Sequence, residues 1–285
     1  MKKNLLSLVP LFLLLVQGVS ATEAIKLDDF SYTKKQVALV DEVIKILEED
    51  HFLKKSFDSV QLEAFDLYLE RLDPNKNIFL SSELNKFKEE ITKKGHIEDN
   101  LKVAYDAFKT YGKRYQSRYD LQVNFLNNIS DNDLRSSKRI IRDRSKAERL
   151  DLIEELENSW QNLIVNDVIQ LMLSGNSVEE SAEKTLKRLE NQLNYFNQTR
   201  NEDIFNIYIN SISSIYGPHT SYMSPKNTED FDINMSLSLE GIGALLSPDG
   251  PYTSISSLIP GGPAEKSGLL KPKDKIIGVG QEDDG

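Results

Sequence analysis

Apolar residues recur at intervals of three and four through most of the chain, up to about residue 216. This spacing places them along one face of a helix, so the pattern predicts a series of amphipathic helices that pack against one another. The predicted helices cover residues 33–52, 59–72, 81–94, 98–127, 146–173, 178–197 and 202–216. The aromatic residues of the fourth helix and the lone Trp160 fall at core spacing, which favours helix packing over a binding surface.

Polar residues at the starts of these segments predict helix caps. Thr33 precedes the first helix, and Ser145 and Ser177 are each followed three residues later by a glutamate, Glu148 and Glu180. In this arrangement the serine and glutamate side chains can each bind the other residue's backbone N–H. We therefore expect helices to begin directly after residues 33, 145 and 177.

The pattern changes within residues 216–246, after which short alternating segments are separated by glycine and proline. Alternation predicts strands at residues 242–246, 252–259 and 275–279, with a turn at 260–263 and one helical turn at 264–268. The predicted fold class is a mainly α N-terminal domain followed by a partial, mostly β domain, α + β overall. The expected boundaries are residues 22–223 for the helical domain, 224–236 for the connection and 237–285 for the second domain.

The first 21 residues have the composition of a cleavable secretory signal. Lys2 and Lys3 precede an apolar run from Leu5 to Val16, and small or short residues follow up to Ala21. The alternative is an uncleaved membrane anchor, but the run is shorter than the roughly 20 apolar residues that a spanning helix needs. We expect residues 1–21 to direct export and to be removed.

Composition excludes several classes of function. The formal net charge of −10 disfavours binding to nucleic acid or to an anionic membrane surface. The absence of cysteine excludes disulfides and thiol catalysis within these residues. The basic run from Arg135 to Arg149 could contact phosphate or peptidoglycan, but acidic residues interrupt and flank it. We predict a solvated face with local ion pairs there.

The histidines and the serine–lysine pairs do not predict a catalytic site or a metal site. His51, His96 and His219 lie in different segments without a second ligand at metal spacing, so we assign no metal and no cofactor. We interpret His51 as a surface partner of Asp50, and His219 as a structural hydrogen-bonding residue at a helix end.

Two Ser-x-x-Lys pairs are candidates for a serine–lysine dyad, in which burial suppresses the charge of the lysine. Ser31 with Lys34 and Ser181 with Lys184 both fall in charged first turns of predicted helices. A lysine there keeps its proton and its solvent, so neither pair is expected to be catalytic.

A glycine-containing loop at Leu239, Glu240, Gly241, Ile242 and Gly243 is the candidate binding site. Glycine tolerates the positive φ angles or crowding that leave backbone N–H groups unpaired and directed at one point. A peptide C-terminal carboxylate could bind there while the peptide adds as a strand beside residues 242–246, with Leu245 contacting its apolar end. The alternative is a simple tight turn or bulge.

Three stretches resemble bacterial carboxy-terminal processing proteases, and within them the tail-specific protease branch. They are residues 72–80 (LDPNKNIFL), residues 218–225 (PHTSYMSP), and Phe231 followed by residues 235–243 (MSLSLEGIG). The chain departs from the family pattern at Gly217, where an acidic residue is usual, and at Lys273–Asp274, where glycine–aspartate is usual. The resemblance implies a helical N-terminal domain followed by a PDZ domain.

The resemblance also implies a function: a serine-type endopeptidase with a Ser-Lys dyad, in the periplasm of a Gram-negative bacterium. Its partners would be the C-terminal tails of periplasmic protein substrates, and possible adaptor proteins, but no nucleic acid. The carboxylate would bind at Leu239–Gly243. We expect the dyad beyond Gly285, an incomplete PDZ domain, and no activity from these residues alone. The alternative is a non-catalytic periplasmic adaptor that binds protein partners.

Overall fold

The computed structural model describes residues 25–135, 139–235, 241–250 and 252–280. Residues 1–21, the predicted signal, therefore lie outside the described residues. The chain divides into two compact units between Tyr222 and Met223. The first unit is helical, and the second combines a helix with a small sheet.

The helices of the first unit follow the apolar periodicity closely. After a 3₁₀ turn at Leu27–Asp29, the chain forms α1 (Lys34–Glu49), α2 (Phe57–Leu72), α3 (Ser81–Lys94), α4 (Ile97–Asn127), α5 (Asp131–Leu134), α6 (Ile153–Leu173), α7 (Val178–Phe196) and α8 (Asn201–Tyr216). In the described ranges, none of the helices combines the length and the apolar character that crossing a bilayer requires.

Two of the three predicted caps are confirmed. The Thr33 hydroxyl accepts the Gln36 N–H at 3.2 Å, and the Gln36 side chain accepts the Thr33 N–H at 2.9 Å. Ser177 and Glu180 exchange the same pair of bonds at 3.2 and 3.0 Å. Each pair satisfies backbone donors that a helix N-terminus otherwise leaves without a partner.

The main core of the first unit is formed by the apolar faces of α1, α2, α3, α4 and α8. Its fully buried members include Val40, Phe65, Tyr68, Phe79, Leu101, Ala104, Ile204, Ile209 and Tyr216. The Tyr68 hydroxyl donates to the Ala104 carbonyl at 2.9 Å, and burial raises the pKa of Tyr68 well above its ordinary value. The predicted core role of the aromatic residues on α4 is confirmed by the burial of Tyr105 and Phe108.

A second cluster of buried residues connects the later part of α4 to α6 and α7. Leu126, Ile164, Val168 and Leu189 are its buried members. Trp160 on α6 is only 1% exposed, which confirms its predicted core position. Its indole N–H donates to the Asn77 carbonyl at 2.7 Å, so α6 is also tied to the turn that connects α2 to α3.

The predicted helix start at Lys146 is wrong, since α6 begins at Ile153. The preceding residues lie against the turn between α2 and α3 instead. The Leu150 carbonyl accepts the Ser81 N–H at 3.0 Å, and the Ala147 carbonyl accepts the Lys76 ammonium at 3.1 Å. Hydrogen bonds to distant residues thus replace the helical bonds that Ser145 and Glu148 would have begun.

The turn at residues 72–80 is organised by the buried carboxylate of Asp73, which is 2% exposed. It accepts the backbone N–H groups of Asn77, Ile78 and Phe79 at 2.9, 3.1 and 3.1 Å. It also accepts the Arg149 guanidinium at 2.5 Å. One side chain therefore holds the turn and anchors the segment before α6.

The basic run is solvated over most of its length, as predicted, but two of its arginines turn inward. Arg135, Arg139, Arg142 and Lys146 are exposed. Arg149 reaches inward to Asp73, and its guanidinium carbon lies 6.0 Å from the centre of the Phe79 ring. Arg144 is 9% exposed and donates to the Glu148 carbonyl at 2.9 Å. Arg144 and Arg149 thus stabilise the fold through hydrogen bonds that the predicted solvated face does not include.

The second unit begins with helix α9 (Pro225–Met235), which occupies most of the predicted connection. A three-stranded antiparallel sheet follows, in the order β1 (Ala244–Asp249), β2 (Tyr252–Leu258), β3 (Lys275–Ile276). A short helix, α10 (Pro263–Ser267), lies between β2 and β3. The last strand is shorter than the predicted residues 275–279. A mainly α first unit followed by a unit with a small antiparallel sheet confirms the predicted fold class.

Candidate peptide-binding site

The glycine loop leads directly into β1. Leu239 and Glu240 lie outside the described residues, whereas Gly241, Ile242, Gly243 and Leu245 lie within them. Gly243 has a φ of +74°, a conformation that L side chains rarely adopt. A Cβ atom there would lie 3.0 Å from Pro263 Cδ and 3.1 Å from Gly262 Cα. The absence of a side chain at Gly243 therefore lets this loop pack directly against the start of α10.

Gly241 does not share the conformation of Gly243. Its φ lies outside the left-handed region, and an added Cβ would meet nothing within 4 Å among the described atoms. Of the two positions, only Gly243 requires glycine, because its backbone is left-handed and in close contact with α10. Gly241 instead leaves open space beside the backbone.

Backbone hydrogen bonds fix the carbonyl groups of this loop. The Ile242 carbonyl accepts the Ala264 N–H at 2.8 Å, and the Gly243 carbonyl accepts the Ile259 N–H at 2.8 Å. The N–H groups of residues 241–243 donate to no other residue in the described part of the chain. Among the described residues, the loop is thus held by its acceptors while its donors have no partner, which is the arrangement that an anion requires.

Strand β1 lies at the edge of the sheet. It pairs with β2 from Ala244 opposite Leu258 to Asp249 opposite Tyr252, and the sheet order places no described strand on its other side. An edge strand presents unpaired N–H and C=O groups that an extended peptide can bind. The free edge and the available N–H groups of the loop are consecutive in the chain, so one peptide could meet both.

The register between β1 and β2 shifts by one residue between Leu245 and Leu246. Leu245 pairs with Ser257 and Leu246 pairs with Ile255, so the extra residue, Ser256, lies on β2. Strand β1 therefore keeps its own alternation, which places Leu245 and Leu246 on opposite faces of the sheet. Leu245 is 60% exposed, and it is the leucine that the sequence predicts for contact with a peptide.

The two serine–lysine pairs are not brought together as dyads. Ser181 is fully buried and its hydroxyl donates to the Ser177 carbonyl at 2.7 Å, while the Lys184 ammonium donates to the Asn176 side chain. Ser31 donates its backbone N–H to Asn201, and Lys34 is exposed at the start of α1. The described residues contain no group of three or more His, Asp and Glu side chains placed to hold a metal ion.

His51 and His219 do not have the roles that the sequence predicted for them. The imidazole of His51 packs against Tyr216 with ring centres 5.6 Å apart, and its Nδ1 accepts the Leu53 N–H at 3.1 Å. Since Nδ1 is an acceptor, Nε2 carries the hydrogen and donates to the Thr220 hydroxyl at 2.9 Å. His219 is exposed and bonds to no other described residue. The structural hydrogen bonds at this helix end thus come from His51, whose predicted surface pairing with Asp50 is wrong.

Comparison with known families agrees with this architecture. The family described as "Tail specific protease N-terminal domain" matches residues 43–226, which is more than half of the chain, and the PDZ domain family matches residues 230–283. The chain therefore belongs to the tail-specific protease family and combines its helical N-terminal domain with a PDZ domain. The predicted resemblance is confirmed.

Individual relatives carry names from the same group of proteases. The chain is 36% identical over 239 residues to the "Tail-specific protease" of Haemophilus influenzae. This match covers 82% of this chain and 34% of the relative. It is 33% identical over 107 residues to the "Carboxy-terminal processing protease CtpA" of Bacillus subtilis, covering 37% of this chain and 22% of the relative. The chain thus spans about a third or less of the length of these relatives.

Proposed function

We propose that this chain supplies the substrate-recognition part of a periplasmic serine endopeptidase that binds proteins through their C-terminal tails. The observation that carries the proposal is the loop at residues 241–243, where the Ala264 and Ile259 N–H groups hold the Ile242 and Gly243 carbonyls while the loop N–H groups have no described partner. A PDZ domain in a tail-specific protease family supports a peptide tail as the ligand.

In this proposal the backbone recognises the end of the substrate and the side chains recognise its apolar character. The carboxylate of the tail accepts hydrogen bonds from the loop N–H groups, and Leu239 and Glu240 extend this loop toward the helical unit in sequence. The tail then pairs with the free edge of β1, and Leu245 contacts its apolar terminal residue. Charge-assisted bonds from N–H to carboxylate make a free terminus bind more tightly than a blocked one.

A comparison of free and amidated peptides tests carboxylate recognition. We expect an apolar-tailed peptide with a free C-terminus to bind at least tenfold more tightly than its C-terminal amide, since charge-assisted hydrogen bonds contribute about 1.5–3 kcal/mol each. Affinities would be measured by fluorescence anisotropy with the full-length protease to which we propose this chain belongs. A third peptide, with a free carboxylate but aspartate in its last two positions, is the control for apolar contact. Equal affinity of acid and amide would overturn carboxylate capture.

We further propose that catalysis requires residues outside these 285, that the first 21 residues direct export, and that the helical unit acts as the substrate dock. The buried and engaged hydroxyl of Ser181 supports the first point, because it leaves that pair without a free nucleophile. We expect the purified chain to leave an apolar-tailed substrate protein intact, as followed by gel electrophoresis over hours. Cleavage that is lost on Ser181→Ala would contradict this.

Recovery of the mature chain in an osmotic-shock fraction would test export.

A further inference from the structure

Arg118 on α4 is a largely buried cation without a carboxylate partner in the described residues. Its guanidinium donates to the Asn77 side-chain oxygen at 3.3 Å and makes no described ion pair. Burial lowers the pKa of this guanidinium from its ordinary value. Buried charges in proteins are normally paired, because moving a lone charge out of water is costly. We therefore expect a negatively charged group to bind beside Arg118.

The two carboxylates whose charge acts on Arg118 already bind other arginines. Asp73 accepts Arg149 at 2.5 Å, and Asp167 on α6 accepts Arg188 on α7 at 2.6 Å. Each of these two carboxylates thus already has an arginine partner, and neither forms an ion pair with Arg118.

A small cavity lies beside this unmatched charge, between α4 and α7. Its volume is about 30 Å³, and its lining consists of Tyr115, Arg118, Tyr119, Gln122, Leu189 and Gln192. The lining offers a guanidinium, two amides and two phenols as hydrogen-bond donors, and it contains no acidic side chain. The space exceeds the roughly 10–15 Å³ that one water needs.

From this match of charge, donors and size, we propose that the cavity binds a small monovalent inorganic anion such as chloride. The anion neutralises Arg118 where Asp73 and Asp167 cannot, and it links α4 to α7. The site lies in the helical unit and is independent of the proposed recognition of peptide tails. It would stabilise the contact between these two helices in chloride-containing media.

Thermal unfolding at constant ionic strength tests this site, with sodium chloride exchanged for sodium gluconate, whose anion is far bulkier than chloride. We expect the melting temperature of the 285-residue chain to be about 2–4 °C higher in chloride and to rise along a saturating curve. Arg118→Met should abolish this difference. Arg142→Met, which removes an exposed arginine, should retain it.

A second variant separates anion binding from a general loss of structure. Gln192 is exposed and lines the cavity, so Gln192→Glu places a carboxylate at the site without disturbing the core. We expect this variant to be as stable in gluconate as the unmodified chain is in chloride, and to show no response to chloride. If the unmodified chain responds equally to chloride and gluconate, or if Gln192→Glu keeps the full chloride response, the cavity holds only water and the proposal is wrong.

Discussion

Replacing Asp73 by alanine is expected to lower the free energy of unfolding of the helical unit by about 3–5 kcal/mol, the usual cost of removing one partner of a buried ion pair. The substitution leaves Arg149 buried without its carboxylate, since the two now lie 2.5 Å apart. It also removes the acceptor for the N–H groups of Asn77, Ile78 and Phe79. Buried donors without partners add to the loss.

The lone tryptophan provides the measurement. Trp160 binds the Asn77 carbonyl in the same turn, so its fluorescence during urea unfolding reports on this region. Asp66→Ala is the matched control, because Asp66 pairs with Lys88 at 2.6 Å but both side chains are well exposed. An exposed pair contributes about 0–1 kcal/mol, so the control should unfold nearly as the unmodified chain does. Equal losses for the two variants would show that Asp73 does not organise the turn.

Replacing Gly243 by alanine is expected to destabilise the small sheet by about 1–3 kcal/mol and to weaken tail binding at least tenfold. The added Cβ would meet Pro263 and Gly262 at 3.0–3.1 Å, and these are ring and backbone atoms that cannot rotate away. A left-handed φ of +74° adds a conformational cost for any side chain. Both effects push the loop away from α10.

Hydrogen exchange measures this displacement directly. The amides of Ala264 and Ile259 bind the carbonyls of Ile242 and Gly243, so their protection reports whether the loop keeps its position. We expect both amides to exchange at least tenfold faster in Gly243→Ala. Gly241→Ala is the control, since its Cβ meets nothing within 4 Å, and it should retain protection. Unchanged exchange in Gly243→Ala would mean that the loop does not depend on this glycine.

Local signals in the sequence predicted most elements of the fold. The first helix begins after Thr33, and α7 begins after Ser177, because the capping partners lie three residues apart and the bonds need no distant group. Gly95 ends α3 in the left-handed conformation for a similarly local reason. Apolar spacing also identified the faces of α4 and α8 that form the core.

The same rules were wrong where a distant partner competed with local bonds. Ser145 and Glu148 have the spacing of a cap, yet their segment lies along the turn between α2 and α3, because Asp73 binds Arg149 across 76 residues of sequence. The candidate site shows a similar effect. The close approach of Pro263, which belongs to a different element, shows that the glycine requirement lies at Gly243.

The sequence by itself determined the order of helices and strands, the family, and the location of the glycine loop, because these depend on short-range periodicity and on residues adjacent in the chain. Only the tertiary structure decided which charges are buried and which backbone donors of the loop lack a partner among the described residues. Those properties depend on atoms from segments far apart in sequence, and the free energy of burial and hydrogen bonding is defined only once these segments are packed together.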